Sequence, residues 1–320
     1  MRLGLVSNLR SQRNRRGIEA LERALAGRQG VVHRRMQGIE GLEQVLAEFA
    51  AADVEVVAVN GGDGTVQAVC SLLINANPFA ETPPLAVLSG GMTNMIAEDV
   101  GFRGKPAAAA ERLYAKLARG DWREAIVSRP LVGMQLRPGA APIYGTFFGT
   151  SSIYRAILYA REHVHSKKVE SNLAAGLTLA RLLLGSAFAR GTTQRILRGE
   201  EISVQFDDGA SDSGTQLLSL VTGMERLVLG SRPFWGSGAG ALHYTRIAAP
   251  APRLLRNGYR LLYGGAERTL APAEVYFSRK AEGMSVSLSE PFTLDGELFT
   301  PEPDTPVLLR GDKRVEFLRI

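Results

Sequence analysis

A chain of 320 residues, 45% of them hydrophobic, is long enough for two domains with full cores and has an ordinary globular composition. Its 38 basic and 32 acidic side chains leave a formal charge of +6, which favours anionic partners. The single cysteine, Cys70, excludes an intramolecular disulfide and any multi-cysteine metal site, and its apolar neighbours predict a small core residue.

The first segment, Leu3 to Asn8, is predicted as a strand. No long apolar leader accompanies it, so a cytoplasmic protein is expected. Ile18, Leu21 and Leu25 recur at helical spacing, Val31 and Val32 begin a second strand, and Leu42, Val45, Leu46 and Phe49 mark the next helix. Asp53 to Val59 is a nearly continuous β-branched run, as a strand covered on both faces requires. Val66, Val69 and Leu73 predict the following helix, and Pro84 to Leu88 another buried strand. This alternation predicts a parallel sheet with helices on both faces over residues 1–125.

The junction Val59-Asn60-Gly61-Gly62-Asp63-Gly64-Thr65 carries the strongest chemical signal. Glycine at 61, 62 and 64 permits positive φ and close approach of backbone N–H groups to a ligand, and Thr65 is a candidate helix cap. The helix start would present its positive dipole end to an anion. Asp63 would repel a bare phosphate, so it is expected to orient Mg²⁺, its water or a substrate hydroxyl. Gln67 stands where the dinucleotide fingerprint needs its third glycine, and no G-x-x-x-x-G-K-[ST] occurs.

After Gly120-Asp121 the pattern changes. Ala125 to Val127, Ile143 to Phe148, Ile202 to Phe206, Leu217 to Val221 and Val275 to Phe277 predict strands separated by turns such as Asp207-Asp208-Gly209, hence a mainly antiparallel second domain over residues 126–320. Within it, Ser171 to Arg190 sets Leu173, Leu177, Leu184 and Phe188 on one stripe. Arg181 interrupts it, so the stretch is either an amphipathic helix at a lipid entrance, flanked by Lys167, Lys168, Arg190 and Arg195, or a helix packed on the domain. Further basic clusters lie at Arg10 to Arg16 and at Arg253, Arg256 and Arg260. Without interleaved aromatics or a recognised motif they exclude nucleic acid as the expected partner and point to an anionic membrane surface. His163 and His165 are two apart and point different ways on a helix, while His33 and His243 are isolated, so no histidine metal pair is expected.

Gly61-Gly62-Asp63-Gly64-Thr65 after a hydrophobic strand resembles the nucleotide loop of the diacylglycerol kinase catalytic superfamily, and NAD kinases and phosphofructokinases share a related loop. Asn8 matches the Asn of that family's first loop, although its Pro is missing. Ser89-Gly90-Gly91-Met92-Thr93-Asn94 corresponds to the family's second loop: Gly91 and Asn94 match, Ser89, Met92 and Met95 depart, and Thr93 is displaced by one position. Asp295-Gly296-Glu297 corresponds to the carboxy-terminal Asp-Gly-Glu, whereas Ala239-Gly240-Ala241-Leu242 replaces an Asp-Gly-x-Leu. Asp-Gly alone is also a common hairpin turn.

The resemblance implies an α/β nucleotide-binding domain followed by a β-sandwich lipid-substrate domain, with the final strand, Val315 to Ile320, returning toward the first domain. It implies ATP and Mg²⁺ between the domains, held by Asn8, Asn60, Gly61, Gly62, Gly64, Thr65, Gly91, Thr93 and Asn94, with Asp63 at the metal. Asp295 would be the general base and Glu297 its supporting carboxylate. The acceptor would be a hydroxyl of a membrane lipid of diacylglycerol or sphingoid type, reached peripherally at the inner membrane face, by a monomer or a homodimer. A kinase of a soluble substrate such as NAD, and a non-catalytic lipid- or nucleotide-binding homologue, are the alternatives.

Overall fold

The computed structural model describes residues 2–91, 95–101, 104–164, 196–265, 268–270 and 272–319. The chain divides into two compact units, Met1–Arg129 with Arg314–Ile320, and Pro130–Lys313.

In the first unit, strands β1 (Leu3–Asn8), β2 (Val31–Met36), β3 (Val56–Gly61), β4 (Leu85–Ser89) and β5 (Ile126–Pro130) are interleaved with helices α1 (Glu19–Leu25), α2 (Leu42–Ala51), α3 (Asp63–Asn75), α4 (Met95–Val100) and α5 (Pro106–Arg119). The C-terminal strand, Arg314–Leu318, enters between β4 and β5, giving the order β2-β1-β3-β4-(314–318)-β5. Each pairing among β2, β1, β3, β4 and the C-terminal strand is parallel. Every residue of β1 and β3 is buried, which explains their unbroken apolar character. Alternation along the strands sends Leu3, Leu5, Val56, Ala58, Ala86 and Leu88 into one core with Leu21 and Leu25 of α1 and Leu113 and Leu117 of α5. Gly4 faces the other way, against α2, where an added Cβ would stand 2.7 Å from the Phe49 ring.

The second unit holds strands β6 (Val132–Gln135), β7 (Ile143–Gly145), β8 (Phe147–Gly149), β9 (Glu200–Phe206), β10 (Ser211–Thr222), β11 (Leu242–Ala248), β12 (Tyr276–Ala281), β13 (Gly283–Ser287), β14 (Phe292–Leu294), β15 (Glu297–Phe299) and β16 (Val307–Arg310), with helices α6 (Ser152–Val164) and α7 (Leu254–Tyr263). They form one sheet in the order β15-β14-β8-β10-β9-β13-β16-β6-β7, with β11 and β12 branching from β10, and its pairings are antiparallel. The long β10 changes partners along its length, and its register with β11 shifts between Gln216 and Leu218, as a bulge produces. Residues from opposite ends of the sheet path, Phe292 and Leu294 of β14 and Val132 and Met134 of β6, share a single core with Val204, Tyr244 and Val307, so the sheet doubles over onto itself.

Phe317, fully buried and paired with Leu85, anchors the C-terminal strand. Phe317→Ala is expected to cost about 3–5 kcal/mol of stability, measured as a lowered urea midpoint; a change below ~1 kcal/mol would show that this strand contributes little to the sheet.

Candidate active site

Three loops meet at the carboxyl ends of β1, β3 and β4. Asn8 ends β1, and its side chain does three things: Nδ2 donates to Thr65 Oγ1 at 2.9 Å, and Oδ1 accepts from Arg10 N at 2.9 Å and Gly38 N at 3.2 Å. Asn14 donates to the carbonyls of Asn8 and Asn60 at 2.8 and 3.0 Å, and Gly62 N donates to Ser11 Oγ at 3.2 Å. Arg13 joins the third loop, its N–H donating to Gly90 O at 3.1 Å and its guanidinium to Ser89 O at 2.9 Å. Gly90 N donates to Gly61 O at 3.0 Å. With β1 flanked by β2 on one side and β3 on the other, this is the switch point of a doubly wound sheet, where such folds bind ligands.

The glycines serve close approach rather than unusual dihedrals. Gly61, Gly62 and Gly64 all lie outside the positive-φ region: Gly61 ends β3, Gly62 is extended at φ −87°, and Gly64 is in the first turn of α3. What forbids a side chain is space. A Cβ on Gly61 would lie 2.6 Å from Thr65 Cβ, one on Gly62 would lie 3.3 Å from Gly91 Cα, and one on Gly90 would lie 2.8 Å from Asn60 Oδ1. Thr65 does not cap α3. Gly62 occupies the cap position without a side-chain bond, and the Thr65 hydroxyl, inside the helix, accepts from Asn8 instead.

Asp63 is the first residue of α3, yet its carboxylate reaches the start of α4. Oδ2 accepts from Met95 N at 3.1 Å and Oδ1 from Ile96 N at 3.3 Å. Burial raises its pKa to about 6, against the lowering effect of these two amides. Asn60 is fully buried. Its Nδ2 donates to Ser7 Oγ at 3.1 Å, which also meets His33 Nε2 at 2.9 Å, while its Oδ1 has no hydrogen-bond partner. Desolvation lowers the His33 pKa, which keeps the ring neutral and a partner for the serine hydroxyl. Met92, Thr93 and Asn94 lie outside the described residues, as do Ser171 to Arg190 and the flanking Lys167, Lys168 and Arg195.

In the second unit Asp295 and Gly296 form the two-residue turn between β14 and β15, with φ of 51° and 88°, and Leu294 opposite Glu297. That is the hairpin geometry Asp-Gly favours. The carboxylate does more than turn the chain. Oδ1 accepts from Thr146 Oγ1 at 2.7 Å and Phe147 N at 2.9 Å, and Oδ2 accepts from Thr146 N at 2.9 Å. Asp295 N donates in turn to Phe147 O at 2.8 Å, so the residue is buried and locked to the break between β7 and β8. Gly145 makes room, since a Cβ there would stand 2.7 Å from Asp295 Oδ2. The Glu297 side chain is exposed. The Ala239-Gly240-Ala241 stretch runs against β12, where a Cβ on Gly240 would meet Ala281 backbone at 2.1 Å.

Asn8, Asn60, Gly61, Gly62, Asp63, Gly64, Thr65 and Gly91 thus belong to one cluster of the first unit, and Asp295 and Glu297 to the second. Ser11, Arg13, Asn14 and Thr146 were not legible as participants. The first three sit in a basic loop that reads as surface charge, and Thr146 carries no local signal. Among the described residues no group of three or more metal-ligating side chains is assembled.

Residues 2–123 match the model of the diacylglycerol kinase catalytic domain. Comparison with curated proteins gives no match. Among solved structures, a protein of Bacillus anthracis str. Sterne described as "a putative diacylglycerol kinase" aligns over 100% of this chain and 97% of its own, with a TM-score of 0.66 and 15% identity. A further structure from that organism, described as a diacylglycerol kinase, gives 0.60 and 16% over the same shares. At this identity the likeness is one of fold.

Two outcomes follow from this geometry. Because the Asp63 pKa is raised from 3.8 to about 6 on folding, its stabilising contribution is present below pH 4 and lost as pH rises through 6. The stability difference between wild type and Asp63→Asn should therefore fall by on the order of 3 kcal/mol from pH 4 to pH 7, at about 1.4 kcal/mol per unit; urea midpoints that keep a constant difference would refute it. Gly90→Ala should push Asn60 and Gly61 away and destabilise by about 1–3 kcal/mol, whereas Gly104→Ala, strained only by its φ of 102° with open space around it, should cost less, as thermal denaturation of both variants will show.

Proposed function

We propose that this chain, whose first unit belongs to the diacylglycerol kinase catalytic superfamily, is a kinase that transfers the γ-phosphoryl group of ATP to a hydroxyl of a membrane lipid. The observation that carries the reading is the bare backbone contact of Gly62 and Gly91 within the three knitted loops at the sheet switch point. A polyphosphate suits such a surface, because small residues let the loops approach closely and the positive end of α3 begins there. ATP supplies the transferable group, and Mg²⁺ on its phosphates offsets their charge.

The roles proposed for the chain's own residues follow from their surroundings. Asn8, Asn60 and Thr65 brace the glycine loop, and Gly61, Gly62, Gly64 and Gly91 are the proposed phosphate-side residues of the two loops. Asn94 is assigned to the nucleotide by its match to the family loop, and Thr93, displaced by one position, as the hydroxyl beside it. Asp63 holds the second loop against the first through α4, and a Mg²⁺ that arrives on phosphates requires only one or two carboxylates, of which Asp63 is the proposed one. Asp295 is the proposed general base, fixed by three donors so that its orientation costs no entropy at the moment of transfer, with Glu297 beside it in sequence. Diacylglycerol, a sphingoid base or ceramide, and another membrane lipid alcohol are the candidate acceptors. No helix among the described residues is long and apolar enough to cross a membrane, so the lipid would be met from one face.

The test is turnover of Mg-ATP with these lipids in mixed micelles, and with NAD in detergent-free buffer. Asp295→Asn is expected to lower kcat by about 10²–10⁴-fold while leaving the KM for ATP within a few-fold. Undiminished lipid phosphorylation in both Asp295→Asn and Asp63→Ala would remove the assignment. Turnover with NAD alone would redirect it to a soluble acceptor, and ATP binding without turnover on any acceptor would leave a binding protein.

A further inference from the structure

Helix α7 divides cleanly between two faces. Leu254, Asn257, Gly258 and Leu261 are buried, and Leu254 and Leu261 pack with Ile247, Val275 and Tyr276. Arg256, Tyr259, Arg260 and Tyr263 occupy the opposite half of the helix, with Arg253 at its start, and all are exposed. Tyr259 is 71% exposed and Tyr263 44%, their rings 5.5 Å apart. A short turn, Val228–Gly230, is tied to the end of this helix through Arg232 N, which donates to Leu262 O at 2.7 Å. It carries Leu229, 44% exposed and held at φ 58°. The large apolar or aromatic side chains exposed among the described residues are Ile39, Leu229, Tyr259 and Tyr263, so all but Ile39 fall on α7 or on the turn joined to it.

Charge along this stretch of chain is of one sign, with exposed Glu274 the acidic residue on the neighbouring segment that packs against α7. The sequence has no acidic residue between Glu225 and Glu267. Among the described residues the side chains of Arg232, Arg253, Arg256 and Arg260 make no ion pair, in contrast to Arg246, which is committed to Asp212 at 2.9 Å. Uncommitted guanidinium groups around exposed tyrosines and a leucine are what an anionic bilayer interface accepts. The rings sit at headgroup depth, the leucine enters the acyl boundary, and the cations meet phosphate.

We infer that the exposed face of α7, with Leu229 and Arg232 of the adjoining turn, is the surface by which this protein docks onto an anionic phospholipid membrane. The inference takes from the proposed function only that the acceptor is a lipid; the surface itself rests on these side chains.

The test is sedimentation of the full chain with vesicles of phosphatidylcholine alone and of phosphatidylcholine mixed with phosphatidylglycerol, without nucleotide. The wild type should bind the mixed vesicles, in a salt-sensitive way, and not the neutral ones. Each arginine near an anionic surface is worth roughly five-fold in partitioning, so the triple variant Arg253→Gln, Arg256→Gln, Arg260→Gln should bind about a hundred-fold more weakly. Leu229→Ser with Tyr259→Ser should lose about ten-fold. All the substituted side chains are exposed, and unchanged melting temperatures will show that the variants fold. Equal vesicle binding by wild type and variants overturns the inference, as does tighter binding of a single-stranded oligonucleotide than of vesicles, lost in the same variants. Vesicle binding through this surface by a protein that phosphorylates no lipid would sink the kinase reading and leave the docking surface standing. Lipid turnover in detergent micelles that is equal in wild type and variants, with vesicle binding lost only in the variants, supports both.

Discussion

The first unit is organised around one buried carboxylate. Asp63 belongs to α3 by sequence but bonds to the first amides of α4, so the glycine loop after β3 is tied to the start of that helix. The far part of α4 is held as well, by the buried pair of Asp99 with Arg129 of β5 at 2.8 Å. A six-residue helix has little stability of its own. Here it is fixed by charged contacts from both sides, and a buried carboxylate whose partners are removed would cost far more than the bonds contribute in place.

The two aspartates that drew attention in the sequence share this logic. Each is buried, each is the acceptor for backbone amides of a different element, and each closes a break in regular structure. Asp63 joins two helix starts; Asp295 fills the break between β7 and β8 and turns its own hairpin. Positioning and structure are therefore not rival accounts of these residues. The same hydrogen bonds that make them necessary to the fold also give their carboxylates one orientation, which any chemistry at them would need.

The parallel unit was readable because buried parallel strands and amphipathic helices leave strong periodic signals: β1, β3 and β4 coincide with apolar runs, whereas the edge strand β2 shows only Val31 and Val32 before His33-Arg34-Arg35. The antiparallel unit was read more thinly. Strands β6, β13 and β16 are short, and polar residues such as Gln135, Ser285 and Arg310 interrupt or end their apolar pattern. Helix α7 was visible only as a set of arginines, since its buried half includes Asn257 and Gly258. At the site, the importance of the glycines was legible but its cause was not. Positive φ is a local property that sequence suggests, whereas the contact of Gly62 with Gly91 is created by the sheet order. For the same reason Thr146 was invisible as the partner of Asp295, far along the chain.

The C-terminal strand has a consequence for how the protein is made. The chain leaves the first unit at Arg129 and rejoins it at Arg314, and the strand it brings back fills the gap between β4 and β5. Until residues 314–318 emerge from the ribosome, β4 has an open edge and β5 has no neighbour on that side. The edge of β4, wholly buried in the finished sheet, would stay unpaired throughout synthesis of the whole second unit. The first unit is thus an early-starting, late-finishing folder, whose sheet can close only after the whole second unit has been made.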